Sequence, residues 1–203
     1  MGELGKHGPP GPTAMRDNKQ MNAGLEALIA AAGPGGRARP VEDWNPPYCG
    51  DIGMAIRADG TWMFRGSPIG RPALVKLFAS LLRKDEDGRT YLVTPVEKVD
   101  CDVADAPFLA VEMAVTGEGN DQTLAFRTNV DDVVEAGPEH PMRFTLQQPG
   151  GGLKPYVHVR GRLEALLTRA LYADLVELAA EHDGRTGVWS GGVFWPFEAS
   201  KQR

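Results

Sequence analysis

Two groups of residues in this chain carry side chains suited to holding a ligand. The first is Gly66-Ser67-Pro68-Ile69-Gly70-Arg71, which leads into a segment of helical periodicity. Free main-chain N–H groups at a helix start favour an anion, and Gly66 and Gly70 let a ligand approach the backbone closely. Arg71, with Arg57 and Arg65 near it in sequence, adds positive charge. A phosphate-bearing ligand is the chemistry this pattern points to, and a tight strand-to-helix turn with a surface arginine is the alternative. The second group is Tyr156-Val157-His158-Val159-Arg160, where alternation puts Tyr156, His158, Arg160 and Arg162 on one face. That face suits an anionic ligand with Tyr156 stacking on it, or is the solvated face of an antiparallel sheet.

Other candidates carry less. A hydrolase reading would use His158 with a carboxylate such as Glu97 or Asp105, and a protein-interaction reading would use Trp189 and Trp195 as contacts. Asp131, Asp132 and Glu135 read as solvated turn acids. Gly150-Gly151-Gly152-Leu153-Lys154 lacks the spacing and the following Ser or Thr of a P-loop, and Gly117-Glu118-Gly119 lies between two strands rather than between strand and helix. Cys49, Cys101, His140 and His158 lack the close spacing of zinc ligands, so no metal or cofactor is expected. No catalytic residue is assigned.

The composition narrows the classes. A formal net charge of -5 over 203 residues argues against a general electrostatic hold on nucleic acid. Two cysteines are too few for a secreted disulfide framework, and no run approaches the roughly 20 apolar residues of a membrane span. With no export signal, a cytoplasmic protein is expected.

The elements that must position these groups follow from periodicity. Met1 to Gln20 carry Gly, Pro and charge, and read as a disordered tail. A short helix over Asn22 to Ala32 and a linker follow, with the folded body starting near Trp44. A three-residue turn, Ala58-Asp59-Gly60, predicts a hairpin pairing Ile56 with Trp62 and Met54 with Phe64. Pro72 starts a helix that runs to Arg83 with Leu74, Leu77, Phe78 and Leu81 inward. Strands are predicted at Thr90–Thr94, Val96–Val103, Phe108–Val115, Leu124–Thr128, Arg143–Leu146 and Tyr156–Leu166. A second helix follows over Arg169–Glu181, and then an aromatic strand or hairpin over Val188–Phe197.

Strands without regular alternation with helices make the fold α+β and mainly antiparallel. Leu74-Val75-Lys76-Leu77 is echoed by Leu175-Val176-Glu177-Leu178, and Asp87-Gly88-Arg89-Thr90 by Asp183-Gly184-Arg185-Thr186, in the same order. Two related halves, each with one long helix, are the expectation. The division read from the sequence is a tail over 1–43, a first half over 44–95 and a second over 96–203.

The runs Trp44-Asn45-Pro46-Pro47-Tyr48-Cys49-Gly50-Asp51-Ile52, Asp59-Gly60-Thr61-Trp62, Gly66 to Arg71, and Val93-Thr94-Pro95-Val96-Glu97-Lys98 resemble a mainly proteobacterial family, domain of unknown function 1285. Asp105-Ala106-Pro107-Phe108 and Pro155-Tyr156-Val157 belong to the same similarity, which covers roughly Trp44 to Phe197. The resemblance implies a duplicated domain, a C-terminal half like pleckstrin-homology folds, and a pocket at the domain interface. It also implies a nucleotide-like ligand in signal transduction, with oxidative stress as one setting.

Overall fold

The computed structural model describes residues 29–30, 39–147 and 150–200. The expected tail lies outside the described residues, as does most of the expected first helix. Residues 29 and 30 are helical, and Ile29 packs against the core.

Twelve strands form two six-stranded sheets. The first contains β1 (Met54–Ile56), β2 (Trp62–Phe64), β3 (Ser67–Pro68), β4 (Leu82–Lys84), β5 (Thr90–Val93) and β6 (Lys98–Val103), in the order β3-β2-β1-β6-β5-β4. The second contains β7 (Phe108–Thr116), β8 (Thr123–Thr128), β9 (Val133–Glu135), β10 (Met142–Leu146), β11 (Leu153–Arg160) and β12 (Leu163–Leu167), in the order β10-β11-β12-β7-β8-β9. Read from the other edge, the second sheet repeats the first strand for strand. In both, the central pair is parallel: β1 with β6, and β7 with β12. The duplication is therefore a property of strand order.

Each half has one helix, α1 (Pro72–Ala79) in the first and α2 (Arg169–Glu177) in the second. α1 joins β3 to β4, the two edge strands of the first sheet. An eight-residue helix is only about 12 Å long, whereas six flat strands span about 24 Å, so the sheet curls towards half a barrel. α2 instead follows β12 and leads into a separate three-stranded sheet of β13 (Ala180–His182), β14 (Arg185–Ser190) and β15 (Val193–Pro196). Both helices thus feed an antiparallel meander whose first turn carries the Asp-Gly-Arg-Thr echo, but the elements before them differ.

The Ala58-Asp59-Gly60 hairpin forms as expected, with Met54 opposite Phe64 and Ile56 opposite Trp62. Gly60 supplies the positive φ of +79° that closes it. Both helices end earlier than their periodicity predicts, and for one reason. Leu82–Lys84 and Ala180–His182 pair with β5 and β14, so strand hydrogen bonds replace the helix's last turn. Leu81 and Leu82 are both fully buried, and such a run does not distinguish strand from helix. The single strand expected over Tyr156–Leu166 is two strands, because Gly161, at φ +53°, turns β11 back into β12. The first half extends past the expected boundary at 95, since β6 hydrogen-bonds in the first sheet.

One core runs through all three sheets. Trp62 and Phe78 meet it from the first half, Phe108, Phe126, Phe144 and Leu175 from the second, and Val188 from the last sheet. The buried Ser190 fastens that sheet down: its hydroxyl donates to the Ala136 oxygen at 2.7 Å and accepts from the Leu124 amide at 2.9 Å. The folded body takes in Val41, which is 4% exposed, ahead of the expected start near Trp44. The cause is Arg83, whose Nη1 donates to the carbonyl oxygens of Val41 at 2.8 Å and Trp44 at 2.6 Å. Its other nitrogens hold Asp85.

Candidate ligand cleft at the junction of the halves

A cleft of about 590 Å³ opens where the first sheet meets the second. The first half lines it with Asp51, Lys84, Arg89, Asp100 and Asp102, and the second with Arg143, Glu164 and Arg162, which pairs with Glu86, while Asp105 stands on the connection between them. Each wall carries an arginine oriented by a carboxylate. Arg143 on β10 faces Tyr156 on β11 and lies 4.1 Å above its ring, and Glu164 on β12 accepts from its Nε and Nη2, both at 2.5 Å. The Tyr156 hydroxyl donates to Asp105 at 2.7 Å, and Lys154 reaches the other oxygen of Asp105 at 2.6 Å. Burial first, and the bond to Asp105 second, push the Tyr156 phenol up to about 12.

On the opposite wall Arg89 donates to Asp100 at 2.6 Å, and the Tyr48 hydroxyl donates to the second oxygen of Asp100 at 2.5 Å. Cys101 lies buried beneath, its thiol pushed up to about 12 by burial and by the neighbouring aspartates. The side chains of the half-buried Lys84 and the exposed Asp102 make no hydrogen bond or ion pair among the described residues. The cleft therefore offers fixed guanidinium edges, a free ammonium and a free carboxylate.

The residues expected to bind from sequence fall in several places. Gly66 and Ser67 belong to the turn and edge strand β3 rather than to an open loop. At the start of α1, Pro72 has no N–H, and the amides of Leu74 and Val75 donate to the Arg71 carbonyl, so few donors remain for an anion. The Arg71 and Arg57 side chains are exposed. Arg65 donates from Nε to the Ile52 carbonyl at 3.1 Å and packs over the Phe64 ring. Gly70 lines a second, smaller pocket.

Tyr156 lies beneath Arg143 and bonds Asp105, two residues that line the cleft, but it is 6% exposed and so does not sit on a solvated face. Arg160 turns away to bind Asp132 and the Ala79 carbonyl. The His158 ring lies between the carbonyl oxygens of Glu139, 3.1 Å from Nδ1, and Gly161, 2.8 Å from Nε2, and stacks on His140. Neither ring nitrogen is hydrogen-bonded to Glu97 or Asp105, the carboxylates named as examples for a hydrolase reading. Trp195 turns inward and donates to the Ser190 carbonyl, while Trp189 packs with His182 and Phe194 on the outer face of the last sheet. Asp131 pairs with Lys76 and Arg127. Among the described residues no three His, Cys, Asp or Glu side chains gather as a metal site, and no helix is long and apolar enough to cross a membrane.

Sequence reasoning missed Lys84, Arg143 and Glu164. The alternation of Arg143 with Phe144 marked an outward-facing residue, but only strand register brings it over Tyr156.

Residues 39–106 match the family model described as domain of unknown function (DUF1285), N-terminal domain, and residues 107–197 match protein of unknown function (DUF1285), C-terminal domain. The chain belongs to the DUF1285 family. Its two models divide the chain between β6 and β7, where the strand order begins again. A DUF1285 family protein from Silicibacter pomeroyi DSS-3, known from its crystal structure, is 48% identical, with 83% of this chain and 93% of that one covered at a TM-score of 0.79. Another from Shewanella baltica OS155 is 28% identical over 62% of this chain and 91% of that one, at a TM-score of 0.49. No curated protein matches the chain.

Proposed function

We propose that this DUF1285 member is a non-catalytic binding protein with a regulatory role, and that its ligand is a phosphate-bearing, nucleotide-like molecule held in the junction cleft. The observation that carries this reading is the arginine pair on facing walls. A guanidinium has five N–H donors; Glu164 engages Nε and Nη2 of Arg143, which leaves the Nη1 hydrogens for a ligand. Arg89 likewise spends only Nη2 on Asp100, and Lys84 adds an ammonium. The acids select as well as orient. A simple polyanion would meet Asp51, Asp102 and Asp105, whereas the amino group of a base would find Asp102 an acceptor. Because the walls come from both halves, occupancy would couple them, which is what a regulatory protein requires.

A thermal-melt screen against nucleotides and inorganic phosphate tests the reading, since a ligand at 100 times its Kd adds about 2.7 kcal/mol of stability. A nucleotide should raise the melting temperature of the native protein and fail to do so with Arg143→Gln or Lys84→Ala. A shift that survives both substitutions, or no shift with any phosphate compound, removes the proposal.

A further inference from the structure

The sequence holds three Asp-Gly pairs, Asp59-Gly60, Asp87-Gly88 and Asp183-Gly184, and each sits at a hairpin turn. Such a pair has a chemistry of its own, since a glycine carries no Cβ to hinder close approach of its amide nitrogen to the preceding side chain. The nitrogen attacks the aspartate Cγ, an N–Cγ bond forms, and water leaves with its hydrogen from the amide and its hydroxyl from the carboxyl group. Water then opens the resulting succinimide. Opening at the main-chain carbonyl leaves isoaspartate, in which the chain runs through the side-chain carbon.

The step needs an available amide and an available carboxyl group, and in the first half both are engaged. The Gly60 amide donates to the Arg57 carbonyl at 2.9 Å, while Asp59 Oδ1 accepts from the Thr61 amide at 2.9 Å. The Gly88 amide donates to the Asp85 carbonyl at 3.1 Å, and the Asp87 carboxylate accepts from the Arg89 amide at 2.9 Å and the Tyr91 hydroxyl at 2.6 Å. Both turns are three-residue loops. Asp183-Gly184 is a two-residue turn between His182 and Arg185, with positive φ at both positions, +51° and +72°. There the glycine amide and the aspartate carboxylate make no hydrogen bond among the described residues. The Asp183 side chain is 85% exposed, with the His182 Nε2 3.4 Å from its Oδ2.

We infer that Asp183 is a site of isoaspartate formation in the folded protein, and that Asp59 and Asp87 are protected by their turns. Neighbouring residues do not explain the difference, because Asp87-Gly88-Arg89-Thr90 and Asp183-Gly184-Arg185-Thr186 are the same four residues in order. The product would present a substrate for a methyltransferase of the isoaspartyl-repair class. It would also add a backbone carbon to the turn that sets His182 against Trp189 and Phe194, so the outer aromatic face of the last sheet would change with age.

The test is to age the native protein at neutral pH, digest it and separate the peptides, where isoaspartate elutes apart at unchanged mass. Methyl transfer from S-adenosylmethionine by an isoaspartyl methyltransferase counts the product independently. Isoaspartate should accumulate at Asp183 roughly tenfold or more faster than at Asp59 or Asp87, where hydrogen bonds must break first. In the chain unfolded by denaturant, Asp87 and Asp183 should age at equal rates. Inserting one Glu between His182 and Asp183 recreates the loop of Glu86-Asp87-Gly88, and should slow Asp183 to the rate of Asp87; a melt checks that the variant folds, and the native comparison stands without it. Matching native rates at Asp87 and Asp183, unequal rates in the unfolded chain, or a folded insertion variant that ages as fast as the native protein overturns the assignment.

Discussion

Arg160 on β11 donates from Nη2 to the Ala79 carbonyl oxygen, 2.6 Å away, where α1 ends. The contact joins the two halves, and it places a positive charge at the negative end of a helix dipole. The same guanidinium donates to Asp132 at 2.7 Å and lies over Phe108. A residue read from sequence as ligand-binding is thus a strut between domains.

Arg160→Ala should destabilise the protein by about 2 kcal/mol, the worth of one or two charge-assisted bonds. At this chain length that is a drop of roughly 4–8 °C in melting temperature. Nucleotide should raise the variant's melting temperature by as much as it raises the native protein's, since this side chain is not in the cleft. A loss of nucleotide affinity with unchanged melting would return Arg160 to the binding site.

Arg83 is 8% exposed and holds Val41, Trp44 and Asp85 together. Arg83→Ala leaves two carbonyls without their donor and Asp85 with Lys98 alone, and should cost about 2–3 kcal/mol, as losing hydrogen bonds to a charged group does. Limited proteolysis of the variant should cut first around Val41 to Pro47. Cleavage there at the native rate would mean that the segment is held by other contacts.

The two thiols should separate cleanly. Cys49 is exposed, whereas Cys101 is buried with its thiol pushed up to about 12. Since the thiolate is the reactive form, a disulfide reagent at neutral pH should titrate one thiol per native chain and two after unfolding. Cys49→Ser should remove the fast one. Rapid modification of both in the native protein would show that the cleft floor opens.

Tyr156 gives the alkaline limb of the stability profile a definite sign. Its folded phenol holds the proton up to about 12, against an ordinary value of 10. The group's contribution is therefore fully present below about pH 10 and is lost as pH rises towards 12. Denaturant melts across that range should fall less steeply with pH for Tyr156→Phe than for the native protein. Equal slopes would place the titration elsewhere.

How much of this was legible beforehand depended on whether the signal was local. The Ala58-Asp59-Gly60 hairpin was readable because turn and alternation lie within eleven residues, Met54 to Phe64. The ends of both helices were not, because Leu82 and Ala180 leave helical geometry only for a partner strand, Leu92 or Gly187, that periodicity does not reveal. The cleft was legible only as an expectation of a pocket between halves. Arg143, Tyr156 and Glu164 come together through the register of three strands, across a connection whose length does not dictate pairing. The loop before α1 admitted two readings because glycines and an arginine look alike in an anion site and in an edge strand. Only the spent amides of Leu74 and Val75 tell them apart.

The parallel pair at the middle of each six-stranded sheet sets an order of events during synthesis. Met54 must wait for Cys101 and Phe108 for Ala165, so each sheet is last to close at its centre. Hairpins such as β1–β2 can form as soon as they leave the ribosome, while β1 keeps one bare edge until Val103 has emerged. Such long-range closure is slow, and an open inner edge is where strands of other chains can add. The half-made protein is thus most exposed to misassembly just before its sixth strand arrives, and it passes through that window twice.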